Sequence, residues 1–136
     1  AMYKNFPDHY IYPAVIEHCE DNYCLYYPDL PGCASSGDTV EKAVELGKAA
    51  AQEYLWELEH DGEDIPAATP TDRLSLNTGD AICIVDVNMF PIRAKMDNRT
   101  VKKTLTIPWY LNELAEARHI NFSHTLRQAL QTQLGV

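Results

Sequence analysis

Hydrophobic and polar residues follow three successive rhythms along this chain. Tyr10 to Cys19 (YIYPAVIEHC) is rich in β-branched and aromatic residues and predicts a strand. Pro13 inside it favours an edge or bulge position. Glu20-Asp21-Asn22 is turn chemistry, and Tyr23 to Tyr27 (YCLYY) predicts a second strand, closing a hairpin. Pro28-Asp29-Leu30-Pro31-Gly32 reads as a rigid turn, and Cys33-Ala34-Ser35 as a short third strand. The period then changes from two to about 3.6. Val40, Ala43, Val44, Gly47, Ala50, Ala51, Tyr54, Leu55 and Leu58 form one helical stripe, opposite Glu41, Lys42, Glu45, Lys48, Gln52, Glu53 and Glu59. Asp38-Thr39-Val40-Glu41 is read as a capping box with Asp38 as the cap. Gly62 and Pro66 stop the helix, Ile65 to Asp80 is a loop, and Ala81 to Val87 (AICIVDV) is a buried strand. The order β-β-β-α-β predicts one helix packed on one small sheet, an α+β arrangement.

Beyond Val87 the pattern weakens and restarts. Pro91 to Asn98 reads as a linker. In Thr100 to Pro108, Leu105 and Ile107 point one way while Lys102, Thr104 and Thr106 point the other, as in a strand. Pro108 opens a helix to about Arg118, with Tyr110, Leu111, Leu114 and Ala115 on one stripe. Asn121 caps a second helix, Phe122 to Leu134, with Phe122, Leu126, Ala129, Leu130 and Leu134 directed inward. The expected domains are residues 2–90 and 100–136, joined by 91–99.

Charge sharpens this division. The formal net charge is −9, which by itself disfavours a phosphate-rich partner. Residues 1–90 hold four Lys/Arg against seventeen Asp/Glu, a net −13; residues 91–136 hold seven against three, a net +4. An acidic body attracts a basic partner, and a basic tail suits nucleic acid. No apolar run approaches the roughly 18–20 residues of a membrane span, and the N-terminus lacks a signal-peptide pattern. With Cys19, Cys24, Cys33 and Cys83 in no Cys-x-x-Cys pair, reduced thiols in the cytoplasm are expected.

Chemistry-bearing residues are sparse. Glu17, Asp29 and Asp86 are candidates for a two-metal nuclease site, which requires carboxylates converging from different strands. His9, His18 and His60 are dispersed, and no nucleophile–base pair can be assembled. Trp56 and Trp109 read as packing residues. No catalytic residue, metal or cofactor is expected.

From Tyr27-Pro28-Asp29-Leu30-Pro31-Gly32-Cys33 through Gly37-Asp38-Thr39, Asp61-Gly62-Glu63, Ile65-Pro66 and Ile84 to Met89, the chain resembles the HicB antitoxin family. The resemblance implies a partial ribonuclease-H-like fold in the first half, used for protein binding. It also implies a HicA-like ribonuclease toxin as partner, with a double-stranded-RNA-binding fold and a catalytic histidine to be masked. Candidate toxin contacts are Tyr23, Asp29, Glu45 and Glu53.

The tail cannot bury its own core, because a lone strand leaves its backbone groups unpaired and the segment is below the roughly 40 residues that usually fold alone. A second copy remedies both: two strands pair and four helices interlock. Lys102 to Leu134 is similar to the ribbon-helix-helix family. The paired strands then enter the major groove with Lys102, Thr104 and Thr106, while Asn121, Phe122 and Ser123 offer a helix N-terminus to phosphate. The expected protein is an antitoxin, dimeric or tetrameric, that also represses its own operon at operator DNA. The alternative is a stand-alone ribbon-helix-helix repressor whose first domain binds a ligand or oligomerises.

Overall fold

The computed structural model describes residues 5–97 and 99–136. Residues 2–4 of the expected first domain and Asn98 of the expected linker lie outside them. The chain divides into two compact units, Ala1–Arg99 and Thr100–Val136. The architecture is mixed α+β, with one antiparallel sheet and four α-helices among the described residues.

The first unit contains β1 (His9–Cys19), β2 (Asn22–Tyr26), β3 (Ala34–Gly37), α1 (Val40–Asp61), β4 (Ala81–Asn88) and α2 (Phe90–Met96). The sheet order is β3-β2-β1-β4, antiparallel throughout. The β1–β2 hairpin closes through Glu20 and Asp21, with Cys19 opposite Asn22 and Glu20 left-handed at φ 45°. Pro13 corrects the edge expectation, because β1 is a central strand. Its ladder with β2 spans only Val15 to Cys19, so at Pro13 the sole ladder partner is β4. The absent proline N–H therefore costs no bond on the β2 side.

Thr39, not Asp38, caps α1. Its extended backbone (φ −130°, ψ 161°) lets the hydroxyl accept from the Lys42 N–H at 3.1 Å. The helix starts at Val40, which places Thr39 at the position whose side chain reaches the third turn residue. Gly62 ends the helix in a left-handed conformation (φ 69°), and its N–H returns to the Glu59 carbonyl.

Alternation along the strands puts Tyr12, Ala14, Leu25, Val85 and Val87 on the face covered by α1. Ala43, Ala51 and Leu55 meet them from the helix, and Tyr27, Leu30 and Cys33 fill one end. Gly47 allows the close approach, since a Cβ there would lie 2.9 Å from a Leu25 methyl and 3.1 Å from Ser35 Oγ. The Tyr27 hydroxyl donates to the Gly47 carbonyl at 2.8 Å, so the backbone group exposed by that approach is paired.

The residues read as a linker contain α2, which buries Ile92 and Arg93 against the first unit. Its sequence, FPIRAKM, is too short to show a helical period, and Arg93 gave no sign of burial. Its guanidinium meets Glu59, which the periodicity had placed on the wet face of α1.

The second unit consists of α3 (Trp109–Ala117) and α4 (Phe122–Leu134) after an irregular segment. The expected strand over residues 100–107 is not formed: these residues pair with no strand among the described residues. A strand exists only through its ladder, and a single copy supplies no partner.

Candidate functional site

The three candidate carboxylates do not converge among the described residues. Glu17 sits on β1 opposite Cys24, while Asp86 sits on β4 opposite Ile11. Six residues of strand separate the two positions along β1, roughly 20 Å. Asp29 lies in the turn after β2 and is committed elsewhere: its carboxylate accepts from the Thr69 N–H at 2.9 Å and from the Thr69 hydroxyl. Among the described residues no three His, Cys, Asp or Glu side chains are placed to hold a metal ion. His9 pairs with Asp86 at 2.8 Å, His18 stacks on Tyr23 and His60 on Trp56. Trp56 is half-buried against the core as expected, whereas Trp109 is exposed.

The Asp29 contact explains the motif it belongs to. Leu30 N–H bonds the Tyr27 carbonyl at 3.1 Å and Cys33 N–H the Leu30 carbonyl at 3.0 Å, so Pro-Asp-Leu-Pro-Gly folds into a closed double turn. Asp29 projects from that turn and ties down the long loop between α1 and β4. Tyr12 donates to the Pro66 carbonyl of the same loop. Asp29 is therefore a structural anchor in this chain, whatever further contact it makes.

The other proposed contacts are spread over the first unit. Glu45 and Glu53 project from α1 into solvent, with Glu45 only loosely paired to Lys42 at 3.9 Å. Tyr23 on β2 is half-buried and stacked on His18 with ring centroids 4.7 Å apart. Among the described residues, Tyr23, Glu45 and Glu53 share no hydrogen bond or ion pair. A hydrogen bond with Cys24, reinforced by desolvation, pushes the Cys19 thiol up to about 11, and burial pushes that of Cys33 up to about 11.

The second unit presents a different surface. Lys102, Thr104 and Thr106 are exposed, in the irregular segment before α3. Asn121 caps α4 by accepting from the His124 N–H at 3.0 Å, leaving Phe122 and Ser123 in the first turn. Its apolar stripe lies open among the described residues: Leu105, Leu114, Leu130 and Leu134 are 64%, 54%, 48% and 70% exposed. A cleft of about 540 Å³ opens between Leu105 and Ile107 on one side and Phe122, Leu126 and Ala129 on the other.

Sequence reasoning missed two features of the first unit. One is the buried Glu59–Arg93 pair. The other is the outer face of the sheet, where Ile11 and Ile84 are exposed. Their alternation was legible, but not which face the single helix would leave uncovered.

Comparison with known proteins places this architecture. The described fold is similar to a toxin–antitoxin complex from Streptococcus pneumoniae, at a TM-score of 0.57 and 21% identity, covering 92% of this chain and 99% of that one. It is also similar to the Burkholderia pseudomallei antitoxin HicB, at 0.53 and 21% identity, covering 89% and 96%. A protein of Haemophilus phage HP1, described as an uncharacterized 14.9 kDa protein in the rep-hol intergenic region, is 29% identical over 102 residues, 72% of this chain and 73% of that one. A UPF0150 protein of Helicobacter pylori is 44% identical over 48 residues, 35% of this chain and 67% of that one.

The chain is thus an antitoxin of the toxin–antitoxin class. It belongs to the family of HicB-like antitoxins of bacterial toxin–antitoxin systems, whose family model matches residues 12–130. Among the described residues no helix is long and apolar enough to cross a membrane.

Proposed function

We propose that this antitoxin captures a small basic ribonuclease of the HicA type and represses its own operon. The acidic first unit, a partial ribonuclease-H-like body, competes for the toxin's cationic RNA groove and covers its catalytic histidine. Glu45 and Glu53 on α1, with Tyr23 and Asp29, are the proposed contacts. Opposite net charges speed the encounter and discriminate against acidic proteins. The second unit dimerises as a ribbon-helix-helix, and Lys102, Thr104 and Thr106 face the bases while Asn121, Phe122 and Ser123 face a phosphate. Dimers, or tetramers if the first units also pair, act in the cytoplasm without a cofactor.

The observation that carries the reading is the uncovered apolar stripe of the second unit. Side chains such as Leu105 and Leu130 remain in water in a single copy, next to an unpaired segment with strand alternation. Burying each such side chain contributes about 1.5–3 kcal/mol. Pairing two copies covers the leucines and supplies the missing ladder together.

The test is a tagged pull-down from the native host at mild salt, with intact-mass measurement of what co-purifies. A small basic protein in stoichiometric amount, which cleaves RNA when freed and is silent when bound, supports capture. Bait recovered alone, from cells expressing the neighbouring genes, refutes it and favours the stand-alone repressor. Operator affinity should fall linearly with log salt concentration.

A further inference from the structure

The β4 strand stands at one edge of the sheet and, among the described residues, pairs only with β1. In an antiparallel ladder about half the residues of an edge strand direct N–H and C=O away from the sheet. Natural edges are blunted by lysine, proline, a bulge or short length. The opposite edge, β3, has four residues and packs beside α1. β4 has eight residues, AICIVDVN, with no lysine, proline or glycine.

The adjoining outer face is apolar. Ile11 and Ile84 are 59% and 56% exposed and form its open part, while Pro13 and Val15, beside Ile84 and Ile82 in the register, are buried. The charged side chains that β1 and β4 place on this face are Glu17 and Asp86, with His9 held by Asp86. No lysine or arginine occurs in any of the four strands. A second copy brings the same carboxylates to the edge and the same excess negative charge. A cationic strand supplies the opposite sign.

We propose that the β4 edge, with Ile11 and Ile84, is a docking site for an extended segment of a basic protein, in which lysine or arginine alternates with apolar residues. The segment adds as a fifth strand. Its backbone satisfies the outward groups of β4, its apolar side chains cover Ile84, and its cations face Glu17 and Asp86. This rests on the capture function above, and names the surface by which the basic partner is held.

The experiment is amide hydrogen exchange on the full chain, alone and with a capped peptide of about eight alternating lysines and valines. A peptide of alternating glutamates and valines is the control. Slowed exchange in residues 81–88 with the lysine peptide, reversed by salt and absent with the glutamate peptide, supports the proposal. Ile84→Lys should weaken the lysine peptide by about tenfold or more through like-charge repulsion and lost apolar contact. Unchanged exchange in β1 shows that this variant stays folded.

The absence of β4 protection overturns the proposal. So does β4 protection that rises with protein concentration in the absence of peptide, which assigns the edge to a second copy. A captured toxin that protects only α1 overturns the edge assignment while capture stands. If the lysine peptide protects β4 but no toxin is captured, the edge stands and the proposed capture falls.

Discussion

Replacing Arg93 by methionine should unfold much of what holds the first unit together. The guanidinium donates from Nε to Glu59 Oε1 at 3.2 Å and from Nη2 to Oε2 at 2.7 Å. It also donates to the Pro7 carbonyl at 2.7 Å and to Asp8 at 3.3 Å. One side chain therefore joins α2, the end of α1 and the segment before β1. The Glu59 side chain is 0% exposed and that of Arg93 8%, whereas Asp8 is open to water. The Asp8 contact contributes at most about 1 kcal/mol. Losing the Glu59 contact is the larger effect, because the carboxylate stays buried without its counter-charge. The Tyr10 hydroxyl still donates to it at 2.7 Å, but a neutral donor does not offset an unpaired charge. The expected cost is about 3–5 kcal/mol, a large share of the roughly 5–15 kcal/mol that holds a domain folded. Urea unfolding, followed by far-ultraviolet dichroism and by Trp56 fluorescence in a Trp109→Phe background, measures it. With a urea dependence of about 1.5 kcal/mol per molar, the midpoint should fall by about 2–3 M. Adding Glu59→Gln to Arg93→Met removes the orphaned charge and should restore more than half of the loss. If the single variant costs less than about 1 kcal/mol, or the double variant costs the sum of the two singles, the buried pair is not what closes this end of the unit.

Three further outcomes follow from other contacts. Asp29→Ala removes both acceptors of Thr69, and should cost about 1–2 kcal/mol and speed proteolysis between residues 63 and 80. Burial, with Cys33 and Cys83 nearby, holds the Tyr27 hydroxyl well above its ordinary value in the folded state. Its contribution is therefore complete below about pH 10, where the unfolded tyrosine titrates, and is lost as pH rises further; Tyr27→Phe should cost about 1 kcal/mol at neutral pH and flatten the alkaline decline in a stability–pH series. Lys102→Ala, Thr104→Ala and Thr106→Ala together should weaken operator binding in a mobility-shift assay but spare toxin capture; loss of both in a folded protein would refute the division of labour between the units.

Much of the fold could be read because local chemistry and tertiary packing agree. The period-two stretches became β1, β2 and β4, and the Ala43–Gly47–Ala51–Leu55 stripe became the buried side of α1, since one face of each element had a single core to meet. The motif Pro-Asp-Leu-Pro-Gly was recognisable from its residues alone. Its physical role was not: that Asp29 holds Thr69 depends on two segments about forty residues apart meeting in space. Glu59 misled for the same reason. A glutamate on the polar side of a helix is ordinarily solvated, and only the docking of α2 brings a guanidinium that makes its burial tolerable.

By itself, the amino-acid order determined the β-β-β-α-β succession, the acidic and basic halves, the family motif and the two helices after Pro108. These are local or additive properties: side-chain periodicity, capping chemistry and summed charge. Tertiary structure alone decided that β1 is central, that Asp29 anchors a loop, that α2 and Glu59 belong to one buried network, and that β4 is left as an open edge. Each depends on which distant surfaces meet, and burial changes the meaning of a charge or a strand edge only once that meeting has occurred. The segment before α3 lies on the same divide, with its alternation written in the sequence and no ladder among the described residues, because a strand needs a partner for every hydrogen bond.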